Sequence, residues 1–293
     1  MDGIININKP KGFTSHDVVA KLRGILKTKK IGHTGTLDPD AVGVLPICVG
    51  RGTKVADMLT ATKKEYLAEV TLGSKTDTQD ASGAVVATAD VTVCEEDIYR
   101  VTQEFVGEQE QIPPMYSAIK QDGKKLYELA RSGIEVERKP RPITIYEIEV
   151  LNIDLANKRF SVRVACSKGT YIRTLCQDMG DALECYAHMS ALTRSRSGQF
   201  SLSDAMTIEE VEQRVREEDF SFLQPIDSVF AQLPSLYLSE RKAQLMCNGV
   251  QVRTPGIQEG TTYRVYDEKG RFLTVSLAED GVLKIQKTFF QGK

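Results

Sequence analysis

The sequence predicts an α+β fold, with a large mixed domain over residues 1–232 and a small β-rich domain over 233–293. Three observations carry this. A length of 293 residues exceeds what one ordinary core requires. Tyr66 to Leu72 and Phe160 to Cys166 alternate as half-buried strands do, whereas Val18, Val19, Leu22, Ile25 and Leu26 recur at helical spacing. Beyond Leu233-Pro234-Ser235 the chain reads as a short helix ended by Gly249. Short strands follow, separated by the hairpin-grade turns Asp267-Glu268-Lys269-Gly270 and Glu279-Asp280-Gly281.

In chain order, Ile4 to Ile7 reads as a strand closed by the turn Lys9-Pro10-Lys11-Gly12. Thr14 starts a helix, and Asp17 three residues on completes a capping box. Residues 32–46 show no period, and their glycines and prolines predict a shaped loop. Thr76 to Gly83 is a polar turn region, and 92–110 reads as an acidic helix. Residues 111–141 read as a basic loop with a short helix at Lys125–Arg131. Ile172, Leu175, Cys176 and Met179 mark a helix after the second strand. Thr207 and Glu210 form another capping box, opening a helix that runs to about Glu218.

The composition, 41% hydrophobic and 27% charged, is globular, and no apolar run is long enough for a membrane helix. The first residues do not read as a secretory signal. Six scattered cysteines include no Cys-x-x-Cys pair, and His16, His33 and His188 suit no common metal site. The sequence therefore predicts a cytoplasmic protein without membrane, metal or disulfide framework. Net charge is only −2. Its distribution, however, is segmental: residues 1–64, 111–173 and 233–293 are basic, and the two stretches between them are acidic. Phosphate attraction needs a local basic face rather than a basic protein, and this pattern supplies the material for one.

Asp38, between Leu37 and Pro39 in the glycine-rich loop, is the sharpest candidate for chemistry. The proline restricts the backbone, so the loop can hold the carboxylate rigidly. A carboxylate there serves as nucleophile, general base, metal ligand or plain turn residue, and the local sequence leaves these open. Arg173, in Ser167-Lys168-Gly169-Thr170-Tyr171-Ile172-Arg173, sits at a helix start; beside Asp38 it would keep that group charged and aimed. The Walker spacing is absent from this segment. Tyr66 begins a strand and offers a ring to an unpaired base, or simply to the core. His33 lies near Asp38 in sequence, but no Gly-x-Ser-x-Gly elbow supports a hydrolase. Pro113-Pro114-Met115-Tyr116-Ser117-Ala118-Ile119-Lys120 reads as a loop able to close over RNA or to lie on the surface.

Gly32-His33-Thr34-Gly35-Thr36-Leu37-Asp38-Pro39, with Ala41, Gly43 and Leu45-Pro46, resembles the signature loop of TruB-type tRNA pseudouridine synthases. Lys9-Pro10, Gly12, Thr14-Ser15, the Tyr66 to Gly73 strand, Pro114 to Ala118, Leu126-Tyr127-Glu128 with Ala130-Arg131, and Gly169 to Arg173 follow in the family's order, covering residues 1 to about 200. The last residues resemble its PUA-like RNA-binding domain, with fewer motifs.

The resemblance implies a pseudouridine synthase fold: a mixed, mainly antiparallel sheet flanked by helices, plus a small C-terminal β-barrel. It implies isomerisation of uridine 55 in the tRNA T loop, without cofactor or metal and without an obligatory protein partner, by a monomer. Asp38 matches the catalytic aspartate, Tyr66 the tyrosine that stacks on the base, and Arg173 the aspartate's partner. Leu192 matches the apolar residue packed against the flipped base. His33 matches a histidine near the displaced nucleotides, and Tyr171 a residue lining the pocket.

Overall fold

A computed structural model describes residues 1–290. Its larger part is built on one mixed sheet. Seven strands lie in the order Gly3–Lys9, Val42–Val49, Ala187–Ser197, Lys64–Leu72, Arg159–Cys166, Arg141–Asp154 and Gly107–Gln111. All adjacent pairs are antiparallel except Val42–Val49 with Ala187–Ser197, which run parallel through Thr193 opposite Val42 and Arg194 opposite Gly43.

Amphipathic helices cover one face of this sheet. Leu175, Cys176 and Met179 of the helix Ile172–Ala182, with Ile98 and Val101 of Glu95–Glu104, bury against Val70, Phe160, Val162 and Val164. At the other end, Val18, Val19 and Leu22 of Ser15–Ile25 and Val211 of Ile208–Arg216 pack on Ile5, Ile7, Leu45 and Ile47. Each such side chain contributes about 1.5–3 kcal/mol on leaving water. The alternating polar residues of the central strands face the opposite way. There Arg163 is held by Glu65, Glu147 and Glu149.

Both capping boxes form: Thr14 with Asp17 and Thr207 with Glu210. The two alternating stretches are central, hydrogen-bonded neighbours. Three expectations need correction. The helix expected over 92–110 ends at Glu104, and Gly107, at φ +120°, turns the chain into an edge strand whose polar residues alternate. The shaped loop expected over 32–46 is shorter. Ile31–His33 pairs with Val42–Val49, and the latter is buried along both faces, so it carries no alternation to read. The last helix of the larger part stops at Arg216 rather than near Glu218.

The C-terminal strands form a separate five-stranded sheet in the order Ser235–Leu238, Thr262–Asp267, Phe272–Glu279, Val282–Thr288 and Val252–Arg253, with the helix Glu240–Cys247 against it. This sheet curls as a half-barrel whose end strands are not paired with each other, consistent with the small PUA-like barrel the sequence predicts. It is seated on the larger part. Phe289 stacks on Phe272, with ring centroids 4.7 Å apart, and meets Phe230 edge-on. Lys54 Nζ donates to the Thr288 carbonyl at 2.8 Å.

Candidate active site

The loop between Ile31–His33 and Val42–Val49 is fixed residue by residue. Thr34 donates its backbone N–H to the Pro46 carbonyl at 3.0 Å. Ser15, at the start of the helix capped by Thr14, accepts from the Leu37 N–H at 2.9 Å and donates back to the Leu37 carbonyl at 3.3 Å. On the far side, Lys9 is fully buried. Its ammonium donates to the carbonyls of Pro39 (2.9 Å), Phe13 (2.6 Å) and Pro10 (3.0 Å). Asp38 therefore sits between two pinned neighbours.

Its carboxylate meets Arg173 two-pronged, with Nε to Oδ2 at 2.9 Å and Nη2 to Oδ1 at 3.3 Å. The Arg173 side chain is 5% exposed and that of Asp38 37%, so the pair has a walled side and an open one. The remaining guanidinium donors are occupied. Nη1 donates to the Thr78 carbonyl at 3.1 Å and lies 3.6 Å from Asp80, and Nη2 also donates to the Tyr116 carbonyl at 3.0 Å. Three separate loops thus converge on one planar fork, a shape that suits bidentate carboxylate recognition. Burial raises the Asp38 carboxyl above the ordinary carboxylate value and Asp80 adds to this, while Arg173 and Lys9 pull it down.

The other expected residues gather around this pair to different degrees. Tyr66 and Leu192 share a buried cluster with Leu37 and Ala41, the residues flanking Asp38. Burial raises the Tyr66 phenol, and the neighbouring Arg194 cation opposes that rise. Tyr171 precedes the Arg173 helix. Burial raises its phenol too, and Arg173 and Asp38 both act on it. His33 stands apart from the fork. It packs edge-on against His16, with ring centroids 5.2 Å apart. Burial lowers it to about 4, with His16 and Arg194 adding to the shift.

Sequence reasoning missed Asp80, Arg194 and Lys9. Asp80 stood in a stretch read only as a polar turn, and its approach to Arg173 is long-range. Arg194 was open to discovery: it follows Leu192 by two along a strand, so it shares that residue's inward face. It is 1% exposed, donating to the Val44 and Gly35 carbonyls at 2.6 and 3.1 Å. Among the described residues no group of His, Cys, Asp and Glu is arranged to hold a metal.

Residues 23–172 match the TruB family pseudouridylate synthase N-terminal domain. The chain belongs to the TruB family. The tRNA pseudouridylate synthase B C-terminal domain matches 173–231, and the pseudouridine synthase II TruB C-terminal domain 234–286. The TruB relative from Clostridium kluyveri, tRNA pseudouridine synthase B, is 46% identical over 99% of this chain and 100% of its own length. That from Geobacillus thermodenitrificans is 49% identical over 87% of each. Among solved structures, a Cbf5-Nop10-Gar1 complex superposes with a TM-score of 0.72 at 29% identity, covering 98% of this chain and 85% of that one. An H/ACA RNP bound to a substrate RNA containing 2'-deoxyuridine gives the same TM-score at 27% identity, covering 99% and 86%. TruB membership makes the chain a pseudouridine synthase, an isomerase, with the fold the sequence predicted.

Proposed function

We propose that this TruB-family chain isomerises uridine 55 in the T loop of tRNA to pseudouridine, with Asp38 as nucleophile on a base turned out of its stack. The observation that carries this reading is the Asp38–Arg173 pair: a carboxylate gripped from behind by a buried fork and open in front. The tRNA substrate follows the names of relatives that match nearly the whole chain.

The reaction breaks the bond from ribose C1' to N1, turns the base, and makes a bond from C1' to C5; a proton leaves C5 and N1 gains one. No electrons are exchanged. Asp38 attacks the nucleotide, and Arg173 holds the carboxylate charged and aimed. Tyr66 stacks on the base and takes part in the proton transfer, and Leu192 and Tyr171 wall the pocket. Unstacking the target costs a few kcal/mol, and stacking on an aromatic ring returns about 1–3 kcal/mol. His33 meets the nucleotides displaced around the target. Residues 1–232 carry the chemistry and 233–293 hold RNA. The enzyme works as a monomer in the cytoplasm without an obligatory protein partner.

The test is to incubate the pure chain with a bare T-stem-loop transcript and look for pseudouridine. Asp38→Asn should keep RNA binding and form no product. Turnover at the wild-type rate in that variant would overturn the nucleophile assignment.

A further inference from the structure

Residues 112–140 leave the sheet at Gln111 and return at Arg141, and these two residues are paired across the edge strands. The excursion carries Lys120, Lys124, Lys125, Arg131, Arg138 and Lys139 against Asp122, Glu128, Glu135 and Glu137, a small basic excess, with Arg138 paired to Glu135. Lys125 and Arg131 both lie over the Tyr127 ring, at 5.3 and 5.4 Å from its centre. Such a combination of cations and an aromatic ring suits a phosphate backbone with unpaired bases.

At its root the excursion is tied to the active site by three contacts. Gln111 is 4% exposed, although the glutamates before it on the strand, Glu108 and Glu110, face solvent. Its side-chain amide accepts from the Tyr171 N–H at 2.8 Å and donates to the Tyr171 carbonyl at 3.0 Å. That is the two-bond exchange of an antiparallel strand pair, made here by a side chain. Tyr171 is the N-cap residue of Ile172–Ala182 and has no side-chain cap bond of its own, so Gln111 holds the start of the helix that bears Arg173. Five residues further on, the Tyr116 carbonyl accepts from Arg173 itself, and the buried Ser117 faces the Tyr171 phenol.

We infer that Gln111 is a positioning residue that couples RNA engagement by the basic excursion to the aim of Asp38. RNA drawn onto the excursion sets the path of residues 111–117. Gln111 and the Tyr116 carbonyl pass that path to Tyr171 and Arg173, and Arg173 passes it to the carboxylate. The cations serve affinity, whereas the Gln111 contact serves the chemical step.

This inference rests on the functional reading above. It is tested by single-turnover conversion at saturating T-stem-loop RNA, with RNA affinity measured separately. Gln111→Leu removes both bonds at similar volume. It should slow conversion roughly ten- to hundredfold, the range expected when a reacting group loses its alignment, and leave affinity unchanged. Gln111→Glu keeps the acceptor and loses the donor, and should fall between. Lys124→Ala with Lys125→Ala should weaken RNA binding, the loss that Gln111→Leu should not show. If Gln111→Leu lowers only the melting temperature and converts at the wild-type rate while folded, the inference fails. It also fails if Gln111→Glu is fully active, or if the loss lies wholly in binding. If the wild-type chain forms no pseudouridine, the functional reading falls first and takes this inference with it.

Discussion

Arg173→Lys is the perturbation that bears most directly on the site. Lysine keeps one positive charge but replaces a planar fork with a single ammonium, which cannot span both Asp38 oxygens at once. The arginine makes two bonds to Asp38, at 2.9 and 3.3 Å, and two to the carbonyls of Thr78 and Tyr116. The Coulomb attraction largely survives, since an ion pair of this kind is worth about 4 kcal/mol at 4 Å in a protein-like dielectric. What is lost is one charge-assisted bond that aims the carboxylate, about 1.5–3 kcal/mol, or roughly ten- to hundredfold in rate. Slack at the carboxylate adds to this without summing simply. The expected result is a single-turnover rate down roughly a hundredfold, with RNA affinity kept. The assay is release of the C5 hydrogen from tritiated uridine in a T-stem-loop transcript, with thermal melting as the folding control. A folded Arg173→Lys enzyme as fast as wild type would show that the fork is scaffolding and that Asp38 is aimed by its loop alone.

Three further outcomes follow from the same geometry. Lys9→Met leaves three carbonyls without their donor while removing a costly buried charge; a net loss of about 2–4 kcal/mol is expected, read as a lower midpoint in chemical denaturation, and unchanged stability would contradict it. The Asp38 carboxyl is raised above 3.8, and in its proposed role as nucleophile it must be ionised, so kcat/KM should fall as pH drops through a midpoint above that value, and Asp80→Asn, by removing a like charge, should move the midpoint down; an acid limb at 3.8 or below in the wild-type enzyme would refute the burial argument. Gly43 has φ +104° and stands so close to Arg194 that an added Cβ would lie 2.4 Å from its carbonyl oxygen. Gly43→Ala should therefore cost about 2–4 kcal/mol, and a normal melting temperature would rule that out.

The sequence made some features legible because their physics is local. The capping boxes at Thr14 and Thr207 need only neighbours three residues away, and the Tyr66 and Phe160 strands each bury one face, which leaves a period to read. Val42–Val49 is buried on both faces and left none. Asp38, Tyr66 and Arg173 were reached through the order of several motifs, since each alone has an ordinary structural use. Asp80 escaped because its polar turn is explained by its own bonds to Thr78 and Ser82, and nothing local announces that a distant arginine lies beyond it. Lys9 escaped for a similar reason: a lysine beside a proline reads as a surface turn, and only the assembled loops supply the carbonyls that hold it.

That lysine gives the loop beside Asp38 an internal cross-brace. Three peptide oxygens converge on the tip of a side chain anchored to the first strand, much as they would around a calcium ion, but here the cation is covalently part of the polypeptide. Such a brace cannot be stripped by a chelator and does not depend on the ionic composition of its surroundings. It forms whenever the chain folds, so the loop's shape is inherited with the backbone rather than recruited from solution.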